Sequence, residues 1–404
     1  MKKILFVDDE TNLLAGLQRM LRSMRNEWQM AFAPGGHEAL EILRSDSFDV
    51  IVTDMRMPGM DGCRLLNEVK ERYPEIVRII LSGHSDKEEV LKSIGPVHQY
   101  LSKPCDAEVL KSTIARACAM RHLLENDSLI KIISRIEALP SLPSLYTEVI
   151  EAVNSPDGSL GRVGEIISKD VGMSAKILQL VNSSFFGLPV HVATPARAVA
   201  MLGLETVKAL VLGAKIFSQF SRSDSPGYPI ANLWNHSIAT SCLAKNVAEN
   251  LKLKQTGIDD SFLAGLLHDI GKLILLDRLP AACDEIVKVV ISSECPLFEA
   301  EQKVIGATHA QVGAYLLGIW GFSESIVEGI SFHHCPGKCS NDDVSILTAV
   351  HLANGFEHKN SPDAMNKAGK FDLDYLSKLG IDDRIDGLQL ACNSPISHGE
   401  ADAC

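Results

Sequence analysis

Along the first 120 residues, short apolar runs typical of strands alternate with segments in which apolar residues recur at helical spacing. Four short runs are rich in branched and aromatic residues and have the length of buried strands. These runs are residues 3–7, 49–53, 77–82 and 98–102. Between them, apolar residues recur at helical spacing, as Leu14, Leu17 and Leu21 do. Strands that alternate with amphipathic helices predict a doubly wound α/β domain with a parallel sheet.

The chain after residue 143 has helical spacing throughout and no convincing strand run. In residues 162–182 and 194–217, apolar positions recur at helical spacing and are interrupted by single charges. Prolines and glycines near residues 187–194 and 226–229 mark turns. This pattern predicts an all-α domain.

Residues 106–138 connect the two regions and contain neither proline nor glycine. Val109, Ile114, Leu124 and Ile133 belong to a helical apolar stripe, which predicts that the last α/β helix runs into, or nearly into, a linking helix. A stiff helix transmits a rotation that a flexible linker would absorb. A dimer seam along the stripe is the alternative, so a homodimer stays open. The predicted boundaries are an α/β domain at 1–122, a linker helix at 123–136, an all-α domain at 137–360 and a C-terminal tail with a short helix at 361–404.

Composition narrows the expected partners. The net charge of the 404 residues is −12, and the sequence has no extended basic region of the kind that binds nucleic acid. The sequence contains no run of about eighteen apolar residues, so we expect no membrane span. The first ten residues lack a signal-peptide core. We therefore expect a cytoplasmic protein that binds neither nucleic acid nor membrane.

Polar residues follow the predicted strands where each strand ends. Asp8 and Asp9 follow the first run, Asp54 follows the second, Ser82 closes the third and Lys103 follows the last. Chemistry in such sheets collects beyond the carboxyl ends of the strands. Converging carboxylates repel one another unless a cation neutralises them, and oxygen ligands suit Mg²⁺. A nearby lysine would stabilise a phosphoryl group, so Asp54 is the expected nucleophile of an aspartyl phosphate.

At these positions the sequence resembles the receiver domain of bacterial response regulators, across about residues 1–122. The matching segments are "VDDE" (7–10), "TDMRMPGMDG" (53–62), "LSGHS" (81–85) and "YLSKP" (100–104). The resemblance implies a flavodoxin-like fold, phosphorylation of Asp54 by a sensor histidine kinase, and a cis bond before Pro104. It makes Asp8, Asp9, Asp54 and the backbone carbonyl of Arg56 the Mg²⁺ ligands. Ser82 and Tyr100 become switch residues, and Lys103 bonds the phosphoryl group.

Histidines recur through the second region. His268 and Asp269 are adjacent within the apolar run 262–276, and His236 lies in register with the apolar face of its predicted helix. Further histidines lie at 309, 333, 334 and 351, the last followed one turn later by Asn354. Imidazoles with one carboxylate are first-row metal ligands. A buried, hydrogen-bonded core pair is the competing interpretation of His268 and Asp269.

This region resembles the HDOD branch of the HD superfamily, across about residues 132–335. The resemblance rests on "ALPSLP" (138–143), "IISKDVGMSAKILQLVNSSFFG" (166–187), "AVAMLGLE" (198–205), "LLHDIGK" (266–272) and "HAQVGAYLLGIWGF" (309–322). It implies an all-α signalling module, often joined to receiver domains, that acts on a downstream signalling protein by protein–protein interaction. That downstream partner is not named by the sequence.

The alternative is a metal-dependent phosphohydrolase similar to the HD-GYP enzymes, which cleave cyclic di-GMP. The chain departs from them because the GYP signature does not follow the paired histidines, where "HHCPGKC" (333–339) stands; the "GYP" at 227–229 precedes the His-Asp pair and is coincidental. It departs also at Asn232 and Asn354, where carboxylate ligands are expected. We therefore expect at most a single transition metal, held by His236, His268 and Asp269. The remaining predicted pocket residues are Lys272, His309, His333, His334 and Asn354.

Overall fold

The computed structural model describes most of the chain. The described residues are 1–83, 96–120, 123–124, 126–136, 140–141, 143–155, 159–182, 191–204, 207, 218–219, 230–340, 343–360 and 371–393. They form two compact units. The first unit comprises Met1–Ile166, Lys176–Gln219 and Tyr315–Phe322, and the second comprises Ile167–Ala175, Phe220–Ala314 and Ser323–Cys404.

The first unit contains a five-stranded parallel sheet in the order β2-β1-β3-β4-β5. The strands are β1 (Lys2–Val7), β2 (Trp28–Ala33), β3 (Val50–Asp54), β4 (Val77–Ser82) and β5 (Gln99–Ser102). The central strands are buried almost throughout, as near-continuous apolar runs predict for a sheet covered on both faces. The doubly wound α/β fold is confirmed.

Strand β2 is absent from the predicted set. It pairs in parallel with β1 from Lys2 opposite Trp28 to Val7 opposite Ala33. Only Trp28 and Ala33 are buried, because the strand lies at the sheet edge. A partly exposed strand with two alanines gives little of the branched, alternating pattern by which strands are recognised.

Helices cover the sheet and continue into the rest of the first unit. They are α1 (Thr11–Met20), α2 (Gly36–Ser45), α3 (Gly62–Arg72), α4 (Ala107–Met120), α5 (Asp127–Ile133), α6 (Pro143–Asn154), α7 (Leu160–Ser168), α8 (Val171–Val181, shared with the second unit) and α9 (Pro195–Leu202). A two-residue parallel pair joins β6 (Pro140–Ser141) to β7 (Ser218–Gln219). The region after residue 143 is otherwise helical among the described residues, as predicted.

The described residues of the connector contain two helices. α4 ends at Met120, and α5 begins at Asp127 behind the N-cap Asn126. The Asn126 side chain accepts hydrogen bonds from the backbone N–H groups of Ser128 (3.0 Å) and Leu129 (3.2 Å). An Asn at this position satisfies N–H groups that lack intrahelical partners, so it favours a new helix start over continuation.

The second unit is helical. Its helices are α10 (Ile230–Asn250), α11 (Gln255–Leu267), α12 (Ile270–Arg278), α13 (Pro280–Ser293), α14 (Leu297–Ile305), α15 (His309–Ile319, shared with the first unit), α16 (Glu324–Ser331), α17 (Ile346–Asn360), α18 (Leu373–Lys378) and α19 (Ile385–Asn393). One apolar core joins α10 and α17 to the C-terminal helices through Phe356, Tyr375, Leu376 and Leu388. The described part of the C-terminal segment therefore packs as two helices in a core. Among the described residues, none of the helices has the length and apolar character that a bilayer span requires.

Candidate functional site

The carboxyl ends of β1, β3 and β5 bring Asp8, Asp54 and Lys103 together. Lys103 Nζ donates to Asp8 Oδ2 at 2.8 Å and is also hydrogen-bonded to Asp54 Oδ1. The backbone N–H of Arg56 donates to Asp54 Oδ2 at 2.9 Å. Gly62 permits the loop to approach Asp54, since a Cβ there would lie 2.1 Å from the Asp54 carbonyl oxygen. The parallel topology thus produces the convergence expected from the sequence.

Burial and charge pairing have opposite effects on the pKa values of Asp54 and Lys103. Burial raises the pKa of Asp54, and the hydrogen bond and positive charge of Lys103 offset part of that effect. For Lys103, burial alone would lower the pKa, but Asp54 and Asp8 outweigh it and raise the pKa. The ammonium group therefore stays charged beside two acids, where it can stabilise negative charge that develops on an attached group.

The remaining predicted residues lie on, or directly after, strands of the same sheet. Asp9 is exposed directly after Asp8. Ser82 is buried at the end of β4, and its hydroxyl donates to the carbonyl oxygen of Gly83 at 3.3 Å. Tyr100 is buried on β5. The peptide bond before Pro104 is cis, as the resemblance implied.

In the second unit, the His268–Asp269 pair occupies a helix junction. α11 ends at Leu267 and α12 begins at Ile270, so both residues lie between the two helices. His268 is fully buried and Asp269 is 1% exposed. A buried charge requires partners, and Asp269 has them.

The Oδ2 atom of Asp269 faces three groups. Lys272 Nζ donates to it at 2.6 Å, and the Nε2 atoms of His268 and His236 lie 3.4 Å and 3.5 Å away. Burial would raise the pKa of Asp269, but the interactions with His268 and Lys272 outweigh it and hold the pKa well below the usual range. The carboxylate is therefore ionised at neutral pH.

The Oδ1 atom of Asp269 faces a second set of imidazoles. The Nε2 atoms of His309 and His333 lie 3.2 Å and 3.9 Å from it, and His334 Nε2 lies 2.9 Å from His309 Nε2. Burial, followed by the neighbouring histidines, holds the pKa values of His333 and His334 well below their usual range. Both rings are therefore neutral and offer a lone pair.

The outer nitrogens of the rings fix which nitrogen faces inward. The Nδ1 of His268 donates to the Gly265 carbonyl, and the Nδ1 of His333 donates to the Ile330 carbonyl, each at 2.7 Å. Because a carbonyl only accepts, both protons lie on Nδ1 and the neutral rings present an Nε2 lone pair towards Asp269. This is how metal-binding histidines are usually held.

Two glutamates hold the other rings in the same manner. His309 Nδ1 lies 2.7 Å from Glu301 Oε2, and His236 Nδ1 is hydrogen-bonded to Glu357 Oε2. Glu301 is 1% exposed, and although burial opposes it, Glu301 raises the pKa of His309. His358 stacks on His236 with ring centroids 4.7 Å apart.

Two inward-facing atoms lack a hydrogen bond within the described part of the chain. They are His333 Nε2 and Asp269 Oδ1. His236 Nε2 and His268 Nε2 also lie only 3.1 Å apart. Lone pairs that face one another or a carboxylate oxygen are repulsive without a cation between them. The donor set thus fits a transition metal bound by imidazoles and one carboxylate.

Asn354 and His351 lie on α17, one turn apart. Asn354 is 4% exposed, and its Oδ1 has no hydrogen bond to any residue in the described ranges. His351 Nδ1 donates to the backbone carbonyl of His333 at 2.8 Å, and its Nε2 accepts from the backbone N–H of Asp372. His351 therefore positions the His333 backbone rather than facing Asp269.

Gly271 lets α12 approach α15 closely behind this group of histidines. A Cβ at Gly271 would lie 1.9 Å from the His309 carbonyl oxygen and 3.0 Å from the Gly313 nitrogen. We expect Gly271→Ala to lower the free energy of unfolding by about 1–3 kcal/mol or more, because backbone must shift to admit the methyl group. Urea unfolding measures this. Gly387→Ala is the matched control, since nothing lies within 4 Å of that Cβ, and it should be neutral or stabilising; equal losses in both variants would contradict the packing argument.

Comparison with known families decides what these two regions are. The response regulator receiver domain family matches residues 4–115, and the HDOD domain family matches residues 139–336. The protein is a response regulator with an HDOD output region. Its receiver domain implies a phosphodonor such as a histidine kinase, and receiver domains typically use Mg²⁺.

Individual relatives share parts of this response regulator. An uncharacterized protein of Treponema pallidum is 27% identical over 227 residues, which are 55% of this chain and 43% of that protein. The hydrogenase transcriptional regulatory protein HoxA of Cupriavidus necator is 37% identical over 116 residues, 28% of this chain and 23% of HoxA. The chain thus spans less than half the length of these curated relatives.

A solved structure, the MmoQ response regulator from Methylococcus capsulatus, is similar over a larger part of the chain. It is 18% identical, with 64% of this chain and 98% of that chain covered and a TM-score of 0.45.

Sequence reasoning about this response regulator missed Glu301, Glu357 and His358. Glu357 and His358 follow Asn354 by about one helical turn, so helical spacing was the signal that could have placed them beside the predicted pocket. Glu301 lies eight residues before His309, and a turn intervenes between the two helices. Its contact with the His309 ring depends on that turn, which residue spacing does not reveal.

Proposed function

We propose that the protein is a phosphorylation-controlled switch in which Asp54 accepts a phosphoryl group from a sensor histidine kinase. The observation that carries this proposal is the pairing of Lys103 with both Asp8 and Asp54 at the sheet edge. The Asp54 carboxylate attacks the phosphorus of the kinase phosphohistidine, the P–N bond breaks and the kinase imidazole leaves. The acyl phosphate carries a charge of about −1.5 to −2, which Lys103 and a divalent cation would balance.

Magnesium suits the oxygen atoms at this edge. Asp8, Asp9 and Asp54 supply carboxylates, and the backbone carbonyl of Arg56 supplies a neutral oxygen in the proposed ligand set. Mg²⁺ bound there would screen the repulsion between the acids and the incoming phosphoryl oxygens. This chain's own contribution is to hold Asp54 by the Arg56 N–H and to keep Lys103 charged.

Beryllofluoride, which mimics an acyl phosphate, tests the first proposal directly. With Mg²⁺ present we expect it to shift the NMR signals of residues around Asp54, Ser82 and Tyr100. With Mg²⁺ removed by EDTA the shifts should disappear. A protein whose spectrum is unchanged by beryllofluoride and Mg²⁺ would contradict the proposed switch.

For the output region, we propose a metal centre organised by Asp269. His236 and His268 share one carboxylate oxygen, and this is the predicted single-metal set. The other oxygen faces His309, His333 and His334, a second group of ligand atoms within 4.8 Å of one another. The fit rests on the inward lone pairs and the unpartnered atoms His333 Nε2 and Asp269 Oδ1.

We propose that this output region acts by binding a downstream signalling protein. In support, His268, Asp269, His309 and His333 are each no more than 1% exposed, so a metal held by them would be enclosed by protein and suited to stabilising the fold. The second candidate is a metal-dependent phosphohydrolase. It is favoured by the imidazole set and by Lys272, whose cation lies beside the shared carboxylate.

Metal analysis combined with a hydrolysis assay distinguishes the two outputs. Protein purified without chelators should contain iron, manganese or zinc, and it should leave cyclic di-GMP intact in both the presence and absence of beryllofluoride. Cleavage of cyclic di-GMP that is lost after metal removal would support the phosphohydrolase instead.

The glutamates behind the ligands provide a sharper test of the metal centre. Glu301→Gln keeps a hydrogen-bond acceptor for His309 but removes the charge that makes the imidazole a stronger ligand. We expect metal affinity to fall about 10- to 100-fold, as it does when such supporting carboxylates are lost. Glu299→Gln, an exposed residue on the same helix, is the matched control. Competition with a chromogenic chelator measures the affinity, and identical affinities for the two variants would contradict the role of Glu301.

A further inference from the structure

Two residues near the end of α17 lie beside the histidine centre but belong to neither of the ligand sets around Asp269. They are Glu357 and His358, which we call the outer pair. Together with His236 they offer ligand atoms that all lie within 4.8 Å of one another. A carboxylate and imidazoles are donors that first-row metals accept. The outer pair therefore has the chemistry of a further metal-binding site.

The outer pair is more accessible to solvent than the inner ligands are. The side chains of Glu357 and His358 are 14% and 7% exposed, whereas those of Asp269 and His268 are 1% and 0% exposed. The side chain of His236, which contacts both groups, is 8% exposed. A hydrated cation can thus reach the outer pair more directly than it can reach the shared carboxylate.

A single ring, that of His236, links the outer pair to the inner ligands. Its Nδ1 donates to Glu357 Oε2, because a carboxylate only accepts, and the neutral ring then directs an Nε2 lone pair inward. This Nε2 lies 3.5 Å from Asp269 Oδ2 and 3.1 Å from His268 Nε2. On the other side, the His358 ring stacks on His236 with centroids 4.7 Å apart. A cation that leaves the outer pair therefore meets the inner ligands within the width of one ring.

The outer pair keeps donor atoms that no other described residue occupies. Glu357 uses Oε2 for His236, and its Oε1 has no hydrogen bond within the described ranges. His358 Nδ1 lies 3.7 Å from Glu357 Oε2, which is beyond hydrogen-bond distance. Burial, followed by the charge of His236, lowers the pKa of His358 to about 3, so the ring is neutral and has a lone pair. Two protein donors are fewer than a closed metal site uses, so a cation bound here keeps water ligands and exchanges readily.

His334, on the opposite side of the centre, is partly exposed as well, but its ring is engaged. Its Nε2 lies 2.9 Å from His309 Nε2, and the ring stacks on Phe298 with centroids 4.8 Å apart. This nitrogen is directed at the inner ligands rather than at solvent. The outer pair is therefore better placed than His334 to receive a cation from solution.

We propose that Glu357 and His358 form an outer divalent-cation site through which the buried centre is loaded. The proposal rests on the metal centre proposed above. The arriving cation exchanges part of its water for Glu357 Oε1 and a ring nitrogen of His358. It then passes to the Nε2 side of the His236 ring and to Asp269. No proton has to leave His236 or His268 during this transfer, because each ring carries its proton on Nδ1.

His358→Phe tests the loading site, because phenylalanine keeps a stacked ring and removes both nitrogens. Apo protein prepared with EDTA, and then freed of it, is mixed with Co²⁺ while excess Mg²⁺ occupies the acidic edge of the sheet. The visible absorbance of imidazole-bound Co²⁺ measures loading, and its decay after EDTA is added measures release. We expect both rates to fall about 10-fold, the lower end of what residues just outside the ligands contribute. The equilibrium affinity should not change, since loading and release share the same step.

His37→Phe is the matched control, because His37 is an exposed histidine on α2. Its loading and release rates should equal those of the wild type. A residue that only supports the ligands would instead change the equilibrium affinity. Weaker binding in His358→Phe, or wild-type rates of loading and release, would overturn the loading site while the metal centre stands.

The wild type alone gives an independent measurement. Its loading rate should level off as the Co²⁺ concentration rises, because capture at the outer pair precedes transfer. A rate that stays proportional to the Co²⁺ concentration would overturn the loading site. A folded wild-type apo protein that takes up no Co²⁺ would overturn the metal centre itself, and the loading site with it.

Discussion

Asp54→Ala is expected to abolish covalent phosphorylation of the protein. Acetyl phosphate with Mg²⁺ should label the wild type, and the variant should show no acid-stable, hydroxylamine-sensitive phosphate. Asp54 supplies the oxygen that forms the bond to phosphorus. In the proposed mechanism Lys103 and Asp8 contribute charge only, so neither replaces that oxygen. A phosphate-affinity gel measures the fraction modified.

The matched control for this loss is Asp61→Asn. Asp61 caps α3 by accepting from the Arg64 backbone N–H at 2.8 Å, and asparagine caps helices equally well. This variant removes one acid from the same domain while keeping the helix start, so labelling should remain at the wild-type level. Phosphate retained by the Asp54 variant would show that another residue is the acceptor.

The receiver site is largely predictable because its residues follow strands. Once β1, β3 and β5 are parallel, Asp8, Asp54 and Lys103 must meet at one edge, whatever the helices do. The chemistry of acids beside a lysine then follows from residue type. The edge strand β2 was not predicted, because the partial exposure of its middle residues removes the apolar pattern of a buried strand. Missing this strand did not affect the predicted site, because none of the site residues lies on it.

The histidine centre is less predictable, since its geometry depends on several helix junctions. The run that contains His268 and Asp269 predicts burial, and the spacing of His236 predicts an inward face. Whether a ring presents Nε2 inward is set by the partner of its Nδ1. For His268 that partner is a carbonyl in its own helix, but for His309 it is Glu301 on another helix. Only the tertiary structure supplies such partners.

The sequence marks Arg78 as unusual but does not reveal which residues it contacts. A charged residue within the strand run "VRIILS" conflicts with burial, so it must have polar partners. Three of them are the backbone carbonyls of Pro74, Ile76 and Pro96, which lie close in sequence or shortly before the next strand. The fourth is the backbone carbonyl of Ser134, which lies 56 residues away. The conflict marks the residue as important, whereas the connector contact that explains it requires the fold.

Asp269→Asn is expected to remove the metal from the output region. Both imidazole sets face this one carboxylate, so the substitution takes the negative charge from every proposed ligand group around it. Metal content measured by inductively coupled plasma mass spectrometry should fall from stoichiometric to background, a loss in affinity of at least about 100-fold, more than a supporting carboxylate contributes. EDTA should also lower the melting temperature of the wild type and leave that of the variant unchanged, because bound metal stabilises only the folded state that holds it.

The substitution leaves Lys272 buried without its anionic partner, which costs stability of its own. His268→Ala is therefore the second variant, since it deletes a ligand and keeps the Asp269–Lys272 pair. Asp284→Asn, an exposed acid on α13, is the matched control and should keep both the metal and the response to EDTA. Stoichiometric metal in folded Asp269→Asn and His268→Ala proteins would contradict the proposed centre. If both variants lose the metal and the control keeps it, Asp269 and its imidazoles are the ligands. The two variants disturb the charge balance differently, so the only defect that they share is the loss of a donor atom.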